Sequence, residues 1–99
     1  MQAAKVVGTV VSTVKERSMD GLKFLFLNIV DSEGKETGAQ VIAADAVGAG
    51  VGEIVLYASG SSARQTIVTD QRPCDAVVMA IVDSWDVDGV VKYKKGKDD

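Results

Sequence analysis

The chain has 99 residues, the size of one domain, and none of its apolar stretches approaches the roughly 18 uninterrupted residues of a membrane-spanning helix, so membrane insertion is not expected. A net charge of −3 and a pI near 4.8 leave no basic stripe for nucleic-acid phosphates. A lone cysteine, Cys74, forms no internal disulfide, and without histidine the chain lacks the usual zinc ligands, so neither a metal nor a cofactor is expected.

Met1 to Ala4 has neither a basic stretch nor an apolar run, so the expected location is the cytosol. Lys5 to Thr13, KVVGTVVST, is β-branched and alternating, which predicts a first strand with Gly8 at a bend or bulge. Ser18 to Gly21 turns the chain into a second strand, Leu22 to Val30. That strand is apolar on both faces, with Leu22, Phe24 and Phe26 on one and Leu25, Leu27 and Ile29 on the other. Few strands in a small monomer hide both faces. Asp31 to Lys35 has hairpin-turn chemistry, with Gly34 supplying a positive φ, and leads to a third strand from about Ala39 to Ala44.

Next comes DAVGAGVGE, Asp45 to Glu53, whose glycines at 48, 50 and 52 allow left-handed or crowded backbone. A fourth strand, Ile54 to Ala58, then delivers a small polar loop, GSSAR, Gly60 to Arg64. Ser61 is a good N-cap and Ala63-Arg64-Gln65 favours helix, so one short helix is expected before Pro73. Ala76 to Asp83 is the fifth strand. Beyond Ser84, Asp88-Gly89 separates Trp85 and Val87 from Val90 to Tyr93 as a short terminal hairpin, followed by a charged tail. Lys92, Lys94, Lys95 and Lys97, offset in part by Asp98 and Asp99, read as a solvated end. The expected fold is therefore all-β with one short helix, a small, partly open five-stranded β-barrel over residues 1–84 and an extension over 85–99. Apolar content of 46% is high for this size; either the barrel core absorbs it or copies of the chain associate.

Chemistry is sparse. Ser61, Ser62 or Cys74 would need a base as a nucleophile, and histidine, the commonest one, is absent, so no enzyme is expected. Asp45 and Glu53 bracket the glycine turn and could meet as a carboxylate pair, but carboxylates beside turns more often cap backbone N–H groups. Gly48, Gly50 and Gly52 make G-x-G-x-G followed by a strand, where a dinucleotide fingerprint requires G-x-G-x-x-G followed by a helix. A calcium loop from Ser84 fails at its twelfth position, Lys95, where a bidentate Glu belongs. Phe24 and Phe26 could stack bases in an oligonucleotide-binding-like barrel; the acidic balance favours core or subunit interface instead.

Taken in order, KVVGTVVST, Gly21-Leu22-Lys23-Phe24-Leu25, DAVGAGVGE, GSSAR, Pro73 with Asp75-Ala76, and Ile81 to Asp83 resemble the EutN/CcmL family, the pentameric vertex proteins of bacterial microcompartment shells. Each motif is weak alone; the ordered set spans most of residues 1–84. The resemblance implies an oligonucleotide-binding-like (OB-like) barrel assembled as a cyclic pentamer that closes the fivefold points of a shell in the cytoplasm, with hexameric shell proteins as partners and no nucleic acid or membrane. It implies Gly60, Ser61 and Ser62 near the fivefold axis, and Arg64, Phe24 and Phe26 between subunits. Asp45, Gly48, Gly50, Gly52 and Glu53 then form a structural turn. The alternatives are a small-molecule or single-stranded nucleic-acid binding module on the same barrel, and a minor enzyme subunit or scaffold.

Overall fold

The computed structural model describes residues 1–11, 23–60 and 76–96. Five strands, β1 (Gln2–Val10), β2 (Phe24–Val30), β3 (Glu36–Asp45), β4 (Ile54–Ser59) and β5 (Ala76–Ile81), close a barrel in the order β1-β2-β3-β5-β4. The expected partly open barrel is thus corrected to a closed one. The seam is a short parallel pairing of Ala44 and Asp45 with Val77 and Val78. Closure removes the free edges that would otherwise template association. The short helix expected from Ser61 lies outside the described residues.

Strand bounds shift where pairing overrides local preference. β1 starts at Gln2, not Lys5, because Gln2 to Lys5 pair with Tyr57 to Ile54 of β4. Its ladder with β2 slips between Val6 and Gly8, the bulge that Gly8 signalled. β3 starts at Glu36, before the expected Ala39. Gly38, at φ 91°, takes up an irregularity in the ladder between Asn28 and Val30 of β2, and pairing resumes at Glu36. The turn joining β2 to β3 is a type I turn with a left-handed fourth residue: Gly34 N–H donates to the Asp31 carbonyl at 2.9 Å, and Gly34 has φ 81°. The Asp31 Oδ1 accepts from the N–H groups of Glu33 and Lys35 at 2.9 and 3.0 Å.

Alternation sorts the side chains. Ala4, Val6, Leu25, Leu27, Ala43, Val55, Tyr57 and Val78 point inward and form the core, with Ile29, Val41 and Ile81 packed around them. Their neighbours point out. Ala44, Ala58 and Val77 form a second buried cluster on the outer face, with Phe24, Ala46 and Met79 against it.

The chain then forms a two-stranded sheet, β6 (Ser84–Val87) and β7 (Val90–Lys94). Asp88 (φ 52°) and Gly89 (φ 80°) both take positive φ, as a type I′ hairpin turn requires. This hairpin is strapped to the barrel. Trp85 stacks on Tyr93, with ring centres 4.8 Å apart, and its Nε1 donates to the Ser32 carbonyl at 2.8 Å. Lys92 pairs with Glu33 at 2.9 Å and Lys95 with Glu53 at 2.7 Å. The basic run read as a solvated end is therefore corrected at Lys92 and Lys95, which reach back to acidic turns distant in sequence.

Candidate functional site

β3 and β4 run in opposite senses around the barrel, so the glycine turn that joins them lies at one end and Gly60, which ends β4, lies at the other. The glycine turn and Gly60 are thus separated by the length of β4. Gly60 takes φ 66°, a left-handed conformation suited to glycine, as the chain leaves the barrel. Ser61, Ser62 and Arg64 lie outside the described residues.

The glycine turn is organised by its two carboxylates. Asp45 is buried, and its Oδ1 accepts from the N–H groups of Val47, Gly48 and Ala49 at 3.0, 3.0 and 3.3 Å, while its Oδ2 has no hydrogen-bond partner. Glu53 closes the turn from the other side: its Oε1 accepts from Gly50 N–H at 2.6 Å. Gly48 (φ 77°) and Gly52 (φ 94°) occupy left-handed positions, and Gly52 N–H donates to the Val6 carbonyl at 2.8 Å, tying the turn to β1. Gly50 has no positive φ, and a Cβ there would sit 3.4 Å from Glu53 Oε1, a contact at the tip of a flexible side chain, so its part in the turn is the N–H it gives to Glu53. Ala49 is buried in the barrel core, while Val47 and Val51 face solvent. Each carboxylate is engaged by backbone or lysine rather than by the other, so the turn has the makings of a scaffold and not of an acid–base pair.

Phe24 and Phe26 sit on the outer face of β2. Phe24 packs against the Ala44, Ala58 and Val77 cluster, which withdraws it from any base-stacking platform. Phe26 lies between Gly8 of β1 and Ile42 of β3, and Ile42 is 49% exposed. The sequence reading missed Ile42, though alternation from buried Ala43 would have placed it outside. It also missed the Glu53–Lys95 ion pair, for which there was no signal, because the partners are far apart in the chain.

That ion pair holds the Glu53 carboxyl below its ordinary range, through the Lys95 hydrogen bond first and then Gly50 N–H. The same contact raises the Lys95 ammonium. Both groups are solvent-screened, so the stabilisation is small. A depressed Glu53 contributes above its ordinary value of 4.5 and loses that contribution as acid carries the pH through the folded value. A raised Lys95 contributes below 10.5 and loses it as alkali carries the pH through its own. In an NMR titration, the Glu53 carboxyl should therefore show a midpoint below 4.5 that moves back up in Lys95→Met; an unmoved midpoint would rule out the contact in solution.

A cavity of about 360 Å³ opens beside the hairpin, lined by Ala3, Val30, Leu56, Val82, Ser84 and Trp85 among others. Among the described residues, no group of three or more Cys, Asp or Glu side chains could hold a metal ion, and no helix is long and apolar enough to cross a membrane.

A family model described as ethanolamine utilisation protein EutN/carboxysome matches residues 1–83. The chain is 48% identical over 95 residues to the carboxysome shell vertex protein CcmL of Gloeobacter violaceus, covering 96% of this chain and 95% of that one. It is 39% identical to the microcompartment shell vertex protein EutN of Salmonella typhimurium, covering 96% of each. The solved Gloeobacter violaceus CcmL structure superposes with a TM-score of 0.92 over 96% of this chain and 98% of that one. The GrpN pentameric microcompartment shell protein of Rhodospirillum rubrum superposes with a TM-score of 0.81 at 41% identity, over 88% of this chain and 99% of that one.

Proposed function

The chain belongs to the EutN/CcmL family, and from that premise we propose that five copies form a cyclic ring that occupies the fivefold vertices of a bacterial microcompartment shell, within the cytoplasm, and closes it. The observation that carries this reading is the end-to-end likeness to shell vertex proteins, among them one whose solved structure is pentameric. The role is structural. A shell of flat hexagonal tiles cannot close without fivefold points, and a ring of five supplies the curvature there.

Within that ring, Gly60, Ser61 and Ser62 line the central opening, where small side chains let five copies of one loop converge. Arg64 bridges neighbouring subunits by a salt bridge or hydrogen bond. Phe24 and Phe26 belong to the subunit interface, which accords with their position on the outside of the barrel. Asp45, Gly48, Gly50, Gly52 and Glu53 keep the glycine turn rigid. The outer partners are hexameric shell proteins, met through small and reversible contacts. No catalytic step is assigned; the relatives carry structural names.

Native mass spectrometry of the purified chain tests the ring. The expected species is five times 10.4 kDa, about 52 kDa, across a range of concentrations. A monomer or dimer throughout would remove the fivefold symmetry and with it the vertex role.

A further inference from the structure

A closed ring of five uses a heterologous contact, in which two different patches on each subunit meet. Resting on the pentamer proposed above, the barrel topology indicates which patches these are. The chain leaves the barrel after Ser59 and returns at Ala76, its cross-strand partner, beside the outer cluster of Ala44, Ala58 and Val77. With the Gly60 loop at the fivefold axis, this sector of the barrel faces the axis. In the closed order β1-β2-β3-β5-β4, one flank of that sector is β2 with β3 and the other is β4 with β1. Those flanks face the two neighbours.

The flanks differ in shape. On the first, Phe26 and Ile42 are cross-strand partners on the outer face, and Ile42 is 49% exposed. Gly8 on the other side of Phe26 offers no side chain, and a Cβ built there would meet nothing within 4 Å, so the pair stands proud of its surroundings. On the second flank, Ala3, Leu56 and Ala80 form one cross-strand row, all partly buried and pointing outward. The alanines keep the row shallow, and it continues into the apolar cavity of about 360 Å³ beside Trp85. Neither the Phe26–Ile42 pair nor the Ala3–Leu56–Ala80 row carries a charge, as fits the desolvated centre of a subunit interface, and Asp31 at the rim of the cavity has one carboxylate oxygen engaged by the N–H groups of Glu33 and Lys35.

We propose that the occupant of the Ala3–Leu56–Ala80 groove is the next copy of this chain, whose Ile42 enters the cavity beside Trp85 while its Phe26 covers the row. One flank is the knob and the other the socket, so every copy offers one of each and the ring closes without a leftover face. The C-terminal hairpin then acts in assembly, because Trp85 forms a wall of the socket.

The test uses variants blocked on one flank each. Ile42→Glu and Ala80→Glu, each alone, should run as monomers of 10.4 kDa in native mass spectrometry, while wild type is pentameric. Mixed at high concentration, they should form a one-to-one heterodimer, since the first retains its socket and the second its knob. Trp85 is the only tryptophan, so its emission should shift to the blue in the mixture and in neither variant alone. A pentamer from either variant, or a mixture that stays monomeric, would overturn the pairing while leaving the ring intact. A wild-type monomer would overturn the ring itself and this pairing with it. If circular dichroism shows Ala80→Glu unfolded, Ala3→Glu on the same row replaces it.

Discussion

Leu27→Ala should lower the unfolding free energy by about 2–5 kcal/mol, the range for emptying a close-packed site of this kind. Leu27 is fully buried at the centre of the barrel, level with Val6 on β1 and Val41 on β3. Its loss removes both transfer free energy and the contacts of every neighbour that cannot relax across a closed barrel, where each strand is held on both sides. Denaturant unfolding at fixed protein concentration is the measurement, because self-association adds a concentration-dependent contribution to the midpoint. Leu27→Met conserves volume and should cost less than about 1.5 kcal/mol, which separates packing from a general intolerance at this position. Equal losses in the two variants would mean that the barrel interior is not packed as described.

Asp45→Ala should destabilise by about 2–3 kcal/mol, comparable to losing a charged hydrogen-bond acceptor. One oxygen of Asp45 serves three consecutive backbone N–H groups, and that of Ala49, whose residue is 6% exposed, has least recourse to water. Asp45→Asn retains an oxygen for those donors and exchanges only the oxygen that has no partner, so it should stay within about 1 kcal/mol of wild type. Thermal and denaturant unfolding of both variants decides the matter. If Asn behaved as badly as Ala, the carboxylate charge itself would be required, and capping would not be the explanation.

Some of this was legible in the sequence because it is local. The bulge at Gly8 and the turns at Gly34 and Asp88-Gly89 each depend on one or two residues whose backbone preference is set by their own side chains. The capping role of Asp45 was legible for the same reason: its donors are the next few residues. Strand bounds were less legible at the start of β1, where Gln2, Ala3 and Ala4 have little strand preference and are extended because β4 lies beside them. Phe24 and Phe26 looked alike in sequence, one strand position apart on the same face. The barrel separates them, packing Phe24 on the outer cluster and setting Phe26 beside Ile42.

The sequence by itself determined the all-β class, the places of the turns at Gly34 and Asp88-Gly89, the acidic net charge and, through an ordered set of motifs, the family. These follow from side-chain alternation, glycine placement and net charge, none of which needs a partner distant in the chain. Only the tertiary structure decided that the barrel is closed and that Lys92 and Lys95 clasp the hairpin to Glu33 and Glu53. Closure depends on the two-residue seam between β3 and β5, and each clasp joins residues brought near only after the strands have paired. Contacts of that kind are set by register and strand order, which local propensity does not encode.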